Sequence, residues 1–452
     1  MSSREMDLTK GNIYKTMLKF AVPFLLAILL QACYGAADLL IVGQFAGSVH
    51  QSAVATGTQV TNMFTNLITG LATGGTILVG HYVGEGNRDR ASKMIGTCFT
   101  LFIVLAGVFT AVLIVLSGPV VEWMNAPAEA APFARDYIFI CACGIFFIFG
   151  YNAISGILRG LGDSKSPLIF VAIACVINIG LDIVLVSAGM GASGAAIATI
   201  TSQGISMILA VVMLKKRDFI FDFKLSSFRT TGKRIKSVLK VGVPMALQNS
   251  LVSVSFIILT AIVNVFGVEA SAAVGILEKY NLFFMLPAIS FSMAISAMVA
   301  QNMGAGIEER ARKCFHMGLL ISLAFGIVFF LLFMAVPENL MGVFTKDPGV
   351  VAQGLLYIKS FSWDFILVAF VFCFNGFVNG TGHTGFTLMN NCISTFGVRV
   401  PAAFILSSIA GATLYEIGYA APIASVVQII IIFIYYRSGR WRRPVISKGV
   451  PA

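Results

Sequence analysis

Gly156-Ile-Leu-Arg-Gly-Leu-Gly-Asp-Ser-Lys-Ser-Pro-Leu168 returns 220 residues later as Gly376-Phe-Val-Asn-Gly-Thr-Gly-His-Thr-Gly-Phe-Thr-Leu388. Gly156, Gly160, Gly162 and Leu168 reappear as Gly376, Gly380, Gly382 and Leu388. The same shift carries Gly84, Gly86, Arg90, Ala91 and Lys93 onto Gly304, Gly306, Arg310, Ala311 and Lys313. Pro23 and Phe45 meet Pro244 and Phe266 at a shift of 221. The chain therefore contains itself twice. Mostly glycine is preserved, and Gly-x-x-x-Gly puts two small residues on one helix face, where a neighbouring backbone can approach closely.

The medium for this duplicated fold follows from composition. Of 452 residues, 58% are apolar and 11% charged, and the mean hydropathy is +0.90. Soluble proteins carry about 25% charged residues. Such a chain has too little polar surface to face water, so the bilayer is its solvent. Apolar segments of spanning length fall near 17–41, 53–79, 94–118, 133–158, 168–188, 192–214, 239–266, 271–299, 314–336, 350–378, 386–410 and 417–436. Each approaches the ~20 residues that a helical pass requires, and none has the short alternating pattern of a barrel strand. The expected fold is an all-α polytopic membrane protein of twelve helices in two parallel six-helix lobes. A repeat with an even helix count per half inserts both halves alike, which predicts a pseudo-twofold along the membrane normal.

The net charge of +11 is distributed as a topology signal and not as a nucleic-acid surface. Lys and Arg crowd alternate connections. Arg4, Lys10, Lys15 and Lys19 precede the first helix, Arg88, Arg90 and Lys93 follow the second, and Arg159 and Lys165 flank the fourth connection. Lys215 to Lys240, including Lys216, Arg217 and Lys236, form the sixth; Arg310, Arg312 and Lys313 follow, then Arg437, Arg440, Arg442, Arg443 and Lys448. The intervening connections hold almost none, Arg135 and Lys346 excepted. Both termini are expected in the cytoplasm of a plasma (inner) membrane protein, and the first apolar run reads as a retained helix. The expected organisation is an N-terminal lobe at 1–220, a basic linker at 221–238 and a C-terminal lobe at 239–452. Phe219, Phe221, Phe223 and Phe228 among the linker's cations suit a segment on the anionic inner surface or an ordinary charged loop.

Ionisable residues inside the apolar segments are the functional signal, because one near a helix centre costs about 2.5–3.5 kcal/mol on insertion scales. They are Asp38, Asp182, Glu278, Lys279, Asp364 and Arg399. At ~1.5 Å of rise per residue, Asp38 lies about 27 Å and Asp182 about 21 Å from the inner face. Thr199 lies about 8 Å below the outer one, and Asn178 is one turn before Asp182 on the same face. Asp38, Asn178, Asp182 and Thr199 therefore converge in the outer half of the first lobe. An all-oxygen cluster with two carboxylates suits a shared proton or a hard cation such as sodium. The repeat places Leu259 and Ala402 at the positions of Asp38 and Asp182, so the fold itself does not require the acids. Depth also groups Glu278, Asp364 and Arg399 in the second lobe, as an ion pair or a substrate contact.

Several stretches together now resemble one family. Ala37-Asp38-Leu-Leu-Ile-Val-Gly43, Leu158-Arg-Gly-Leu-Gly-Asp-Ser-Lys-Ser-Pro167, Gly194-Ala-Ala-Ile-Ala-Thr199 and Val299-Ala-Gln-Asn-Met-Gly-Ala-Gly306 are similar to signatures of the multidrug and toxic compound extrusion family. The resemblance runs along essentially the whole chain. It implies a twelve-helix antiporter that exchanges H+ or Na+ for organic, often cationic or amphipathic, drugs by alternating access. Its first-lobe cation site would fall on Asp38, Asn178, Asp182 and Thr199. Two departures are clear: helix seven carries no acid here, and Arg399 is not a family feature. The remaining expectations are a monomer with a small organic substrate, the lipid bilayer as partner, no nucleic acid, and no cofactor or metal beyond a coupling Na+ or H+.

Other classes fit less well. Gly380-Thr-Gly-His-Thr-Gly385 matches a dinucleotide fingerprint in letters, but that site needs a strand before it and a soluble βαβ unit around it. An intramembrane enzyme would need a nucleophile and base, or metal ligands, at one depth; His50, His81, His316 and His383 are dispersed and the eight cysteines show no ligand spacing. A flippase for lipid-linked precursors of the same broad superfamily, or an exporter of one metabolite, remains the alternative. A flippase would want basic residues in its cavity to meet a pyrophosphate, and Arg399 and Lys279 are the only two in position.

Overall fold

Without water in the hydrocarbon, each backbone N–H and C=O must find its partner inside the chain, and helix is how this protein does so. The structure is a computed structural model that describes residues 5–124, 126–216 and 219–443. Arg4, Arg217 and Lys448 of the charge pattern lie outside the described residues. The helices are α1 (Ile13–Gly84), α2 (Arg88–Trp123), α3 (Ala131–Gly160), α4 (Lys165–Leu185), α5 (Gly191–Lys215), α6 (Gly232–Asn264), α7 (Val268–Gly304) and α8 (Glu308–Ala335). They continue with α9 (Pro337–Gly342), α10 (Pro348–Phe361), α11 (Trp363–Gly380), α12 (Thr384–Cys392), α13 (Val400–Ser407), α14 (Leu414–Gly418) and α15 (Ala420–Arg437).

These elements make the twelve expected passes. As one straight rod, α1 would run about 108 Å, over three times the hydrocarbon thickness. It is instead two passes broken at Gly47, whose φ of 82° and ψ of 178° no helix contains. The copy of that break is Gly267, at φ 99° and ψ 177°, which separates α6 from α7. Only glycine adopts such a conformation without strain. Passes ten to twelve are each assembled from two shorter helices: α10 with α11, α12 with α13 through a π-helical turn at Ile393–Arg399, and α14 with α15.

The helices gather into two compact units. The first holds Val22–Ala246 with the residues up to Asp7, and the second holds Leu8–Ala21 and the chain from Leu247. The division therefore falls inside α1 and α6, one or two residues from Pro23 and Pro244, and not in the linker where the sequence placed the boundary. Packing explains the shift. Gly74 leaves so little room that a Cβ there would lie 2.5 Å from Cα of Gly242, so the start of α6 belongs backbone to backbone with the first unit. In the second unit Met17 is fully buried, near Gly318.

Each unit repeats the other's internal contacts. A Cβ on Gly156 would meet the Ala72 carbonyl at 2.8 Å and one on Gly160 the Thr76 carbonyl at 2.7 Å. In the second unit Gly376 presses on the Ser292 carbonyl, and a Cβ on Gly380 would meet that of Ser296 at 2.7 Å. One contact is preserved by exchange of size: Gly75 of α1 faces Cys98 of α2, whereas Ile295 of α7 faces Gly318 of α8. Close packing at one place needs one small and one large side chain, and either helix can supply either.

The linker, whose sequence suits either a surface-lying segment or an ordinary charged loop, folds back on the first unit. Phe221 is buried and packs on Phe223, Phe228 and Phe99 of α2 at ring distances of 5.1, 5.2 and 5.5 Å. Thr100 donates to the Phe228 carbonyl at 2.7 Å and Thr230 to Thr97 Oγ1 at 2.9 Å. The aromatic side chains fold the linker onto the first unit. Outside the helices, the Ser227 hydroxyl and then the Lys224 backbone N–H hold the Asp222 carboxyl below its usual range.

Gly156→Val and Gly376→Val should each lower stability by about 1–3 kcal/mol, because the added atoms meet backbone. Gly107→Ala, which meets nothing within 4 Å, should leave it unchanged. Thermal melting of the purified protein in detergent checks both; no loss in the two valine variants would contradict the packing.

Candidate functional site

In the first unit three helices bring four polar side chains together. Asp38 stands on the first pass of α1, nine residues before the Gly47 break. Asn178 and Asp182 share a face of α4. The chain then reverses through a π-helical turn at Val186–Met190, with φ of 90° at Gly189 and 52° at Gly191. That reversal returns Thr199 of α5 to the level of Asp182. His50, expected only at the outer edge, fixes the reversal: Ala192 N–H donates to its Nδ1 at 3.3 Å, and its ring packs on Phe133 at 4.1 Å.

All four side chains are buried, with Asp182 at 0% exposure and Asp38 at 6%. Asp38 lies within side-chain reach of Asp182, Asn178 and Thr199. Even so, Asp38 Oδ1, both Asp182 carboxylate oxygens, the Asn178 amide and Thr199 Oγ1 complete no hydrogen bond. Buried polar atoms normally have partners, and leaving one without costs about 1–3 kcal/mol. Two carboxylates set face to face cannot both keep their charge in such a place unless a proton or a cation lies between them. The donor set is entirely oxygen apart from one amide nitrogen, which suits a proton or a hard cation and not a soft metal.

Residues that sequence reasoning passed over surround this cluster. Tyr34, one turn before Asp38, contacts Gln203, one turn after Thr199, and lies in electrostatic range of Asp38. Tyr137 shares a hydrogen bond of 3.2 Å with Thr58 and also lies in range of Asp38. The spacing of four from Asp38 and Thr199 was the available signal, since i and i+4 share a helix face. By contrast Asp163 of the glycine-rich signature is a helix cap: it accepts from the backbone N–H groups of Ser166 at 2.9 Å and Lys165 at 3.1 Å.

Among the described residues of the second unit, a charged group and a neutral one stand out. Arg399, at the end of its π-helical turn, lies in electrostatic range of both Glu278 and Asp364, as does Tyr357. The direct partners of the acids are hydroxyls: Thr260 donates to Glu278 Oε1 at 3.2 Å and Ser425 to Asp364 Oδ1 at 2.6 Å. Beside this group runs a neutral chain of amides. Thr387 donates to Asn379 at 2.6 Å and accepts from Gln248 at 2.8 Å; Asn391 donates to Gln248 at 3.3 Å, and Gln428 donates to Asn391. The corresponding first-unit positions of Gln248 and Asn391 are Ala27 and Val171.

Comparison with known proteins agrees with this duplicated plan. A family model described as MatE matches twice, at residues 23–184 and 244–405. A probable multidrug resistance protein YpnP of Bacillus subtilis is 28% identical over 437 residues, covering 96% of this chain and 97% of that protein. A probable multidrug resistance protein NorM of Thermotoga maritima is 26% identical over 450 residues, covering 97% and 95%. An outward-facing multidrug resistance MATE family transporter of the MOP superfamily shares the fold, with a TM-score of 0.90 at 20% identity over 97% of this chain and 98% of that one. The duplicated six-pass architecture and the two family matches, which together take in most of the chain, establish that this protein belongs to the MatE family of membrane transporters.

Proposed function

We propose that this protein exports organic, cationic or amphipathic, drugs from the cell by alternating access, driven by inward movement of H+ or Na+ bound at Asp38, Asn178, Asp182 and Thr199. One observation carries the coupling part of the reading. Four buried polar side chains of the first unit face one another with Asp38 Oδ1, both Asp182 oxygens, the Asn178 amide and Thr199 Oγ1 left without a completed hydrogen bond, which is the arrangement a transient cation would satisfy. The names of the relatives support the drug part. Cation uptake removes the repulsion between the Asp38 and Asp182 carboxylates and lets α1 and α4 close up, with Pro23, inside the first pass of α1, as the place where α1 yields. The driving force is about 2.3 kcal/mol per charge per 100 mV, with the concentration term added to it.

Glu278, Asp364 and Arg399 are the charges of the second unit that we assign to the substrate. With two acids against one guanidinium the group is net acidic, which favours cations. The flippase alternative needs uncommitted cations for a pyrophosphate, and Arg399 instead stands in range of two carboxylates.

Three outcomes test this reading. Energised cells lacking their own pumps should expel ethidium when they make the wild-type protein. With Asp38→Asn they should retain it like pump-free cells, at equal amounts of membrane protein. Undiminished export by Asp38→Asn would sink the coupling site. In vesicles, Arg399→Gln should raise the ratio of cationic to anionic dye transported and Asp364→Asn should lower it; an unchanged ratio in both makes the group structural. For topology, a membrane-impermeant maleimide applied to intact cells should label Lys346→Cys and spare Leu225→Cys, in a background without the native cysteines. The reverse pattern would invert the proposed orientation.

A further inference from the structure

A cavity of the second unit lies where α1 and α8 begin. Tyr14, on the first turn of α1, faces Ile307, Arg310, Lys313 and Met317 across an open space of about 460 Å³. The cavity is not part of the transport reading, because none of its lining residues belongs to either polar group of the second unit. Arg310 braces one wall, donating to the carbonyls of Lys10 at 2.6 Å and Gly11 at 2.9 Å. Lys313 pairs with Glu309 at 2.7 Å. Lys10 and Lys15, both exposed, flank the lining stretch, so cations outnumber the single carboxylate that lines it.

The repeat supplies the decisive comparison. The α8 face that carries Arg310, Lys313, Met317 and Leu320 is the copy of the α2 face that carries Arg90, Lys93, Thr97 and Thr100. In the first unit the linker covers that face: Thr97 and Thr100 are bonded to Thr230 and Phe228, and Gly96 makes room for the Ser227 carbonyl. In the second unit the repeat places the linker's copy at 441–450. Of its described part, Trp441 is buried against Phe377, and Arg442 pairs with Glu308 at the start of α8 at 2.9 Å. The segment ahead of α1 is pinned through Leu8 by Gln301 at 3.2 Å and Asn302 at 3.1 Å. Among the described residues Leu320 is 64% exposed. The two hydroxyls that bind the linker have become Met317 and Leu320, so the occupant of this face is apolar where the linker is hydrogen-bonded.

We propose that this face seats an anionic phospholipid of the inner leaflet. Lys313, with Lys10 and Lys15, meets the headgroup phosphate, Tyr14 packs beside the glycerol region, and an acyl chain follows Met317, Leu320, Ile327 and Leu331 along α8. Those last three are exposed and lie at helical spacing, continuing the apolar path away from the cations. A cluster of cations at the basic end of a membrane helix, above an apolar stripe, fits an amphiphile with a negative head. A free phosphate offers nothing to the apolar half. Lys93 is the matched control: it makes the same kind of ion pair as Lys313, to Asp89 at 2.8 Å, but on the copy of this face that the linker occupies.

Native mass spectrometry of the full-length protein, titrated in detergent with phosphatidylglycerol or phosphatidylcholine, tests the proposal. The wild type should keep phosphatidylglycerol at concentrations where phosphatidylcholine leaves no adduct. Lys15→Glu with Lys313→Glu should weaken that binding about tenfold or more, since each nearby cation contributes appreciably to attraction for an anionic lipid. Lys313→Gln, a milder change, should fall between, and Lys93→Glu should match the wild type. Millimolar inorganic phosphate should not displace the lipid. Unchanged lipid binding in the charge-reversed protein would overturn the proposal. So would an equal loss from Lys93→Glu, which signals diffuse charge, or displacement by inorganic phosphate, which signals a free-anion site.

Discussion

A hydrocarbon medium offers no partner to a polar group, and this one constraint organises the molecule. It forces the backbone into helical passes, because only intrahelical bonds leave no N–H or C=O exposed. It removes most of the hydrophobic drive for those helices to associate, so association rests on close fit. The glycines at 156 and 160, and at 376 and 380, let backbone meet backbone for that purpose. The same constraint makes each charge retained among the passes costly, which is why Asp38, Asp182, Glu278, Asp364 and Arg399 stand out.

Duplication supplied two frames and divergence gave them different interiors. Where the first unit has Asp38 and Asp182, the second has Leu259 and Ala402; where the second has Gln248 and Asn391, the first has Ala27 and Val171. The first unit thus holds carboxylate oxygens left without a completed hydrogen bond, and the second holds amides that hydrogen-bond to one another. A closed neutral network locks helices in one arrangement, whereas an open acidic one has a different energy with and without a cation. The inner interfaces diverged as well: the linker's phenylalanines seal one copy of a helix face, and its counterpart on α8 exposes Leu320 among the described residues.

Much of this was legible in the residues, for a physical reason in each case. Hydropathy reads passes directly, since length and apolarity are what a membrane selects, and the four first-lobe site residues followed from helix rise and i, i+4 spacing. Other features were hidden. Gln248, Asn379 and Asn391 are amides, which lower local hydropathy less than a charge does and so escaped notice among apolar neighbours. The division of the chain at Ala21 and Ala246 depends on which helix a glycine face meets, and Gly74 against Gly242 is a contact between distant segments that no local pattern reveals. The linker's aromatic residues read equally as a membrane anchor or a loop, because their real partner, Phe99, lies over a hundred residues earlier.

The central claim is that the acidic cluster of the first unit takes up the coupling cation, and equilibrium binding measures this without requiring a known drug. Purified protein in detergent would be dialysed against radioactive sodium, with proton uptake followed in parallel at low sodium. The account predicts saturable binding of one or the other ion by the wild type and its loss in Asp182→Asn, with an unchanged melting profile. Wild-type binding that survives in a folded Asp182→Asn protein would place the cation elsewhere and contradict the account.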